Sequence, residues 1–178
     1  DLPIVGVVEP TCRQALAVTR TKQVGVIATL ASIRSGVYEA TLRRLDPAVT
    51  VVGRACPLFV PLVENRRFQR GDIVIETVAR EYLEPLRETG IDTLILGCTH
   101  YPLLVDVISE IMGPDVTLVS AGEESAYELK RTLKAGDALS PPEHPGSTAF
   151  YVSDRAEDFE AIASVFLQEE LHHAAQRI

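Results

Sequence analysis

Two short runs, Val24–Gly25–Val26–Ile27–Ala28 and Thr93–Leu94–Ile95–Leu96, are apolar almost throughout. A strand with one wet face alternates apolar and polar residues. A strand covered by helices on both faces does not, so unbroken runs of this length point to parallel strands inside helical layers. The flanking sequence fits that reading. Further strands are predicted at Ile4–Val8, Thr50–Gly53, Thr117–Val119 and Ala149–Val152. Helical periodicity is predicted over Pro10–Val18, Ser35–Leu45, Ile73–Glu88, Leu103–Met112 and Glu123–Thr132, with a last pair at Ala156–Leu167 and Leu167–Ala174. Strand and helix patterns that alternate in this way belong to the α/β class, with a mostly parallel sheet sandwiched by helices. The Pro- and Gly-rich stretch Gly136–Gly146 lacks periodicity and reads as a surface connector. One strand and the terminal helices beyond it are too little to bury a core, so they are expected to complete a sheet whose other strands lie elsewhere.

Both apolar strands run directly into residues able to do chemistry. Thr29 follows the first, and Gly97–Cys98–Thr99–His100 follows the second. Open α/β sheets bind ligands outside the carboxyl ends of their strands, so both exits point at one site. A helix opening near Pro102 would turn its N–H groups towards Cys98, which favours thiolate. A thiol beside an imidazole can act as a nucleophile or as a proton-transfer base. Thr29 and Ser32 offer hydroxyls at the other exit, in positions that also suit helix capping.

Composition narrows the function classes. Acidic residues outnumber basic ones 25 to 17, for a net charge of −8, and no Lys/Arg stripe is available to neutralise a phosphate backbone, which argues against nucleic acid. A small anionic substrate remains compatible, because local N–H groups and hydroxyls set the field of a pocket. Three cysteines without CxxC spacing argue against zinc and dithiol chemistry and favour a reducing compartment, the cytoplasm. No run approaches the ~18 apolar residues of a membrane span. Cys12 and Cys56 read as structural. His144, His172 and His173 lie in the connector and near the C-terminus, where exposure is the expectation, and no metal site is expected. Asp1–Leu2–Pro3 enters Ile4–Val8 without an initiator Met, so the start is expected to be interior to a longer protein.

The segment LGCTHYPLL (Leu96–Leu104) resembles the signature around the second catalytic cysteine of glutamate racemases. GVIATLASIRSGVYEATLRR (Gly25–Arg44), ACPLFVPLVE (Ala55–Glu64) and EYLEPLRETGIDTLILGCTHYPLL (Glu81–Leu104) occur in that family's order and near its spacings. The resemblance runs from about Ile4 to about Phe159. It implies cofactor-independent interconversion of L- and D-glutamate by two opposed cysteines, supplying D-glutamate for peptidoglycan. It further implies catalytic roles for Cys98, His100 and Glu64, with Glu64 orienting the imidazole, and substrate contacts from Thr29, Ser32 and Thr99. Many relatives have Thr where this chain has Ser32, which keeps the hydroxyl. The motif implies no pyridoxal-phosphate lysine and no other cofactor. The partner implied is glutamate, with neither nucleic acid nor membrane, and homodimers are common in the family.

The same resemblance implies two α/β lobes. Residues 2–119 would form the second lobe, and residues 120–178 would return to complete the first. The family's first catalytic cysteine, in a Cys-Asn-Thr motif, does not occur in these residues, so this chain alone is expected not to racemise glutamate. Three readings compete with a glutamate racemase. One is a racemase of aspartate or another acidic amino acid, although aspartate racemases carry an acidic residue where this chain has His100. The others are a binding-only module and a cysteine hydrolase.

Overall fold

The computed structural model describes residues 4–144, 146–167 and 175–178. It divides into two compact units, residues 1–138 and residues 139–178. The first is an α/β layer structure. Its strands β1 (Gln23–Ala28), β2 (Thr50–Ala55), β3 (Thr93–Leu96) and β4 (Thr117–Ser120) form one sheet in the order β2-β1-β3-β4, and every pairing is parallel. Its helices are α1 (Val8–Val18), α2 (Leu30–Ser35), α3 (Val37–Leu45), α4 (Phe59–Glu64), α5 (Ile73–Arg87), α6 (Val105–Met112) and α7 (Ala121–Ala135), with a 3-10 turn at Tyr101–Leu104 before α6.

The two apolar runs are the inner strands, and alternate residues along them serve two separate cores. Ile27, Leu94 and Leu96 pack with Phe59, Val63, Ile75, Leu83, Val107 and Ile108 of α4, α5 and α6. Val24, Val26 and Ile95 pack with Cys12, Ala15, Tyr38 and Leu42 of α1 and α3. Covering both faces removes the need for alternation, and that is why these strands read as continuous apolar runs.

Two predicted elements differ from those observed, and one observed helix was not predicted. Ile4–Val8 is not a strand: Ile4 is 94% exposed, and Val8 opens α1, with Glu9 and Pro10 in a first turn that favours both. A short apolar run carries no periodicity that separates strand from helix. Ser35–Leu45 is not one helix, because Gly36 takes a left-handed φ of 65°, ending α2 and starting α3. The six residues of α4, interrupted by Pro61, were not anticipated at all. Helix α8 spans Ala156–Leu167 as expected, whereas the helix predicted over Leu167–Ala174, with His172 and His173, falls outside the described residues from 168 on.

The second unit pairs β5 (Phe150–Val152) in parallel with β6 (Ala175–Arg177), and Phe150 meets Phe159 of α8 at 5.5 Å between ring centroids. Among the described residues no helix is long and apolar enough to cross a membrane.

Candidate active site

The order β2-β1-β3-β4 places a reversal between β1 and β3, since the chain steps from β1 to one side for β2 and to the other for β3. In doubly wound sheets such a switch point opens a crevice at the carboxyl ends of the strands. Thr29 leaves β1 there, and Gly97–Cys98 leaves β3. Backbone bonds tie the β1 exit to its neighbours on both sides, Gly97 N–H after β3 to the Ile27 carbonyl at 2.8 Å and Cys56 N–H after β2 to the Ala28 carbonyl at 3.0 Å.

Around the β3 exit the structure gathers four of the predicted residues. The Cys98 Sγ lies 3.9 Å from His100 Nδ1, and the Thr99 hydroxyl lies 3.3 Å from the same nitrogen. The His100 Nε2 is 3.3 Å from Glu64 Oε1 at the end of α4. A carboxylate on Nε2 favours the tautomer with its proton there, leaving the Nδ1 lone pair towards the thiol and the Thr99 hydroxyl. The arrangement is a relay from sulfur to imidazole to carboxylate, able to remove or return a proton at sulfur.

At the β1 exit, the Thr29 hydroxyl caps α2 by accepting from the Ser32 N–H at 3.4 Å, and it meets the Ser32 hydroxyl at 3.1 Å. Capping therefore accounts for the hydrogen bonds these two residues make with each other, at the exit of the strand that neighbours β3.

Electrostatics correct one expectation. Burial pushes the Cys98 thiol above its ordinary range, outweighing the hydrogen bonds from His100 and Thr99 that pull it down, while the Glu64 charge adds to the rise. The sulfur therefore rests as thiol. Cys12 and Cys56 are fully buried, and burial pushes each to about 12, as inert core thiols. His144 is exposed in the connector. Among the described residues no group of three or more His, Cys, Asp or Glu is arranged to hold a metal ion.

Two residues that shape the turn were not singled out by sequence. One is Tyr101, fully buried behind the turn. Gly97 is the other, and its only sequence signal is a glycine directly after an unbroken apolar strand. A Cβ at Gly97 would lie 3.1 Å from the Ile27 carbonyl oxygen, 3.1 Å from Tyr38 Cε2 and 3.2 Å from the Ala28 Cβ. That carbonyl is bonded in the sheet and cannot give way. Gly97→Ala is expected to cost about 1–3 kcal/mol, the usual penalty of overpacking, measured by urea unfolding.

The chain is similar to known proteins over most of its length. Residues 1–126 match the family model described as Asp/Glu/Hydantoin racemase. A glutamate racemase of Geobacter metallireducens is 47% identical over 167 residues, covering 94% of this chain and 61% of that protein. The crystal structure of a glutamate racemase isoform from Bacillus anthracis superposes with a TM-score of 0.91 at 36% identity, covering 100% of this chain and 65% of that one. Glutamate racemase from Francisella tularensis, solved in complex with D-glutamate, gives a TM-score of 0.86 at 31% identity, covering 99% and 64%. The chain thus spans less than two thirds of the length of each.

Proposed function

The chain belongs to the Asp/Glu/Hydantoin racemase family, and from that premise we propose that it forms one face of a glutamate racemase. The observation that carries this reading is the Cys98–His100–Glu64 relay at the switch point of the sheet. Inverting an α-carbon requires one group to take the proton and a second, on the opposite face, to return one; a single fixed base gives back the proton it removed with retention. Cys98 serves one face. Resting as thiol, it is ready to donate, and His100, oriented by Glu64, takes its proton when the thiol must act as base. Thr29, Ser32 and Thr99 supply hydroxyls to the α-amino and α-carboxylate groups.

No Cys-Asn-Thr motif occurs among the 178 residues, so on this reading the opposing thiol comes from the portion of the protein that carries that motif. On this reading residues 2–119 belong to the lobe bearing Cys98 and residues 139–178 contribute to the other, while α7 (Ala121–Ala135), counted with the second part by the family plan, packs within the first compact unit. The reading includes action without a cofactor, a cytoplasmic setting, D-glutamate made for peptidoglycan and assembly as a homodimer.

The test is hydrogen exchange at the glutamate α-carbon in D2O, followed by NMR, using this chain joined to the Cys-Asn-Thr-bearing portion of a relative. Exchange is expected on glutamate in preference to aspartate, and it should vanish in Cys98→Ala. Exchange that survives unchanged in that variant sinks the proposed role.

A further inference from the structure

The relay joins two elements that are distant in sequence, so something must fix the distance between the β3 exit and α4. We propose that Tyr101 is that positioning residue: it clamps the turn carrying Cys98 and His100 onto the start of α4 and thereby sets where Glu64 meets the imidazole. The functional meaning of this inference rests on the proton-transfer reading above; the clamp itself does not.

Tyr101 is fully buried. Its backbone N–H donates to the Cys98 carbonyl at 3.2 Å, closing the turn that holds Cys98, Thr99 and His100. Its hydroxyl donates to the Cys56 carbonyl at 3.2 Å. That same carbonyl accepts from the Phe59 N–H, also at 3.2 Å, where α4 begins. The ring of Tyr101 meets Phe59 edge-on, at 5.3 Å and 87°, and Phe59 in turn meets Tyr82 of α5 at 5.4 Å and 72°. Because α4 is only six residues long, with Phe59 first and Glu64 last, fixing Phe59 fixes Glu64. The Cys56 carbonyl already has a backbone donor, so the phenol is not needed to satisfy it. What the phenol adds is a link between the β2 exit, α4 and the catalytic turn. Burial pushes the phenol far above its ordinary range, which keeps it a donor at any working pH.

Tyr101→Phe keeps the ring and deletes the link. Cys12 and Cys56 are fully buried, so alkylation by iodoacetamide with peptide mapping reads Cys98 alone. The groups acting on that sulfur are Thr99, His100 and Glu64, with the phenols of Tyr38 and Tyr101 close by. In Tyr101→Phe the alkylation rate at about pH 8 is expected to fall about fivefold, the weight of one ordinary hydrogen bond. The midpoint of its pH profile should rise, because the N–H groups that favour thiolate leave register. The second reading is the ring 15N NMR signal of His100, whose displacement by Glu64→Gln should shrink to less than half in the Tyr101→Phe background, a coupling that a double-mutant cycle isolates. Ile75→Val, a core change on α5 of comparable stability cost, should move neither reading. If Tyr101→Phe does not fold, Phe59→Leu is read in the same way. The clamp is overturned if both readings stay at native values, or if Ile75→Val moves them equally. If the readings move but the assembled enzyme exchanges no glutamate proton, the clamp stands and the racemase reading falls.

Discussion

With serine in place of Cys98, glutamate α-proton exchange by the assembled enzyme is expected to fall by about 10³-fold, within the range that general acid–base catalysis contributes. Glutamate binding should change little. The substitution preserves size and hydrogen bonding and alters acidity: a hydroxyl gives up its proton far less readily than a thiol, so the relay to His100 keeps its geometry and loses its driving force. Burial already holds the thiol above its ordinary range, so the expected pH dependence has a definite sign. Exchange that needs Cys98 as base should increase as pH rises through the elevated thiol value, and the Ser variant should lack that limb. NMR exchange rates across pH, with binding followed by glutamate line broadening, separate the two quantities. A Cys98→Ser enzyme that keeps its exchange rate would show that sulfur is not the proton carrier, whereas loss of binding in step with rate would make Cys98 a substrate contact only.

The fold was legible in sequence where burial leaves a pattern. Thr93–Leu96 and Val24–Ala28 read as inner strands because helices on both faces strip polar residues from them, and their observed cores confirm the cause. Legibility failed where an element is short. Ile4–Val8 has the composition of a strand but pairs with no strand among the described residues, and α4 carries Pro57 before it and Pro61 within it, the marks of a loop. Cys98 and His100 could be singled out as neighbours on one strand exit. Glu64 could not be joined to them by spacing, because that meeting depends on how α4 is set against the β3 exit, and only the family resemblance named it. The expected low thiol value failed for a related reason: an N-terminal helix turn is visible in sequence, whereas the depth at which the sulfur sits is not.

The opposite end of the same strand carries a polar group whose role is stability, and it gives the second large effect. Asp92, just before β3, is 7% exposed. Its Oδ1 accepts from the hydroxyls of Thr19 at 2.5 Å and Thr93 at 3.0 Å. Its Oδ2 accepts from the backbone N–H groups of Arg20 at 2.7 Å and Thr21 at 2.8 Å. One carboxylate thus holds the α1–β1 loop to the sheet. Burial raises the acid's value, but the Thr19 hydroxyl and the N–H groups of Thr21 and Arg20 outweigh it and hold the carboxyl below the ordinary carboxylate range. Asp92→Ala is expected to cost about 2–3 kcal/mol, the range for hydrogen bonds to a charged group. Asp92→Asn should be milder, because an amide oxygen can still accept from Arg20 and Thr21 while the two hydroxyls turn to accept from its NH2. The pH dependence separates charge from shape. A depressed carboxyl contributes stability that is fully present above its unfolded value, about 3.9, and is lost as pH falls through the folded one. Urea unfolding of the native chain and of Asp92→Asn should therefore converge as pH drops below about 4. If their difference stayed constant from neutral pH into that range, the loop would be held by the shape of the side chain, and the charge would contribute nothing.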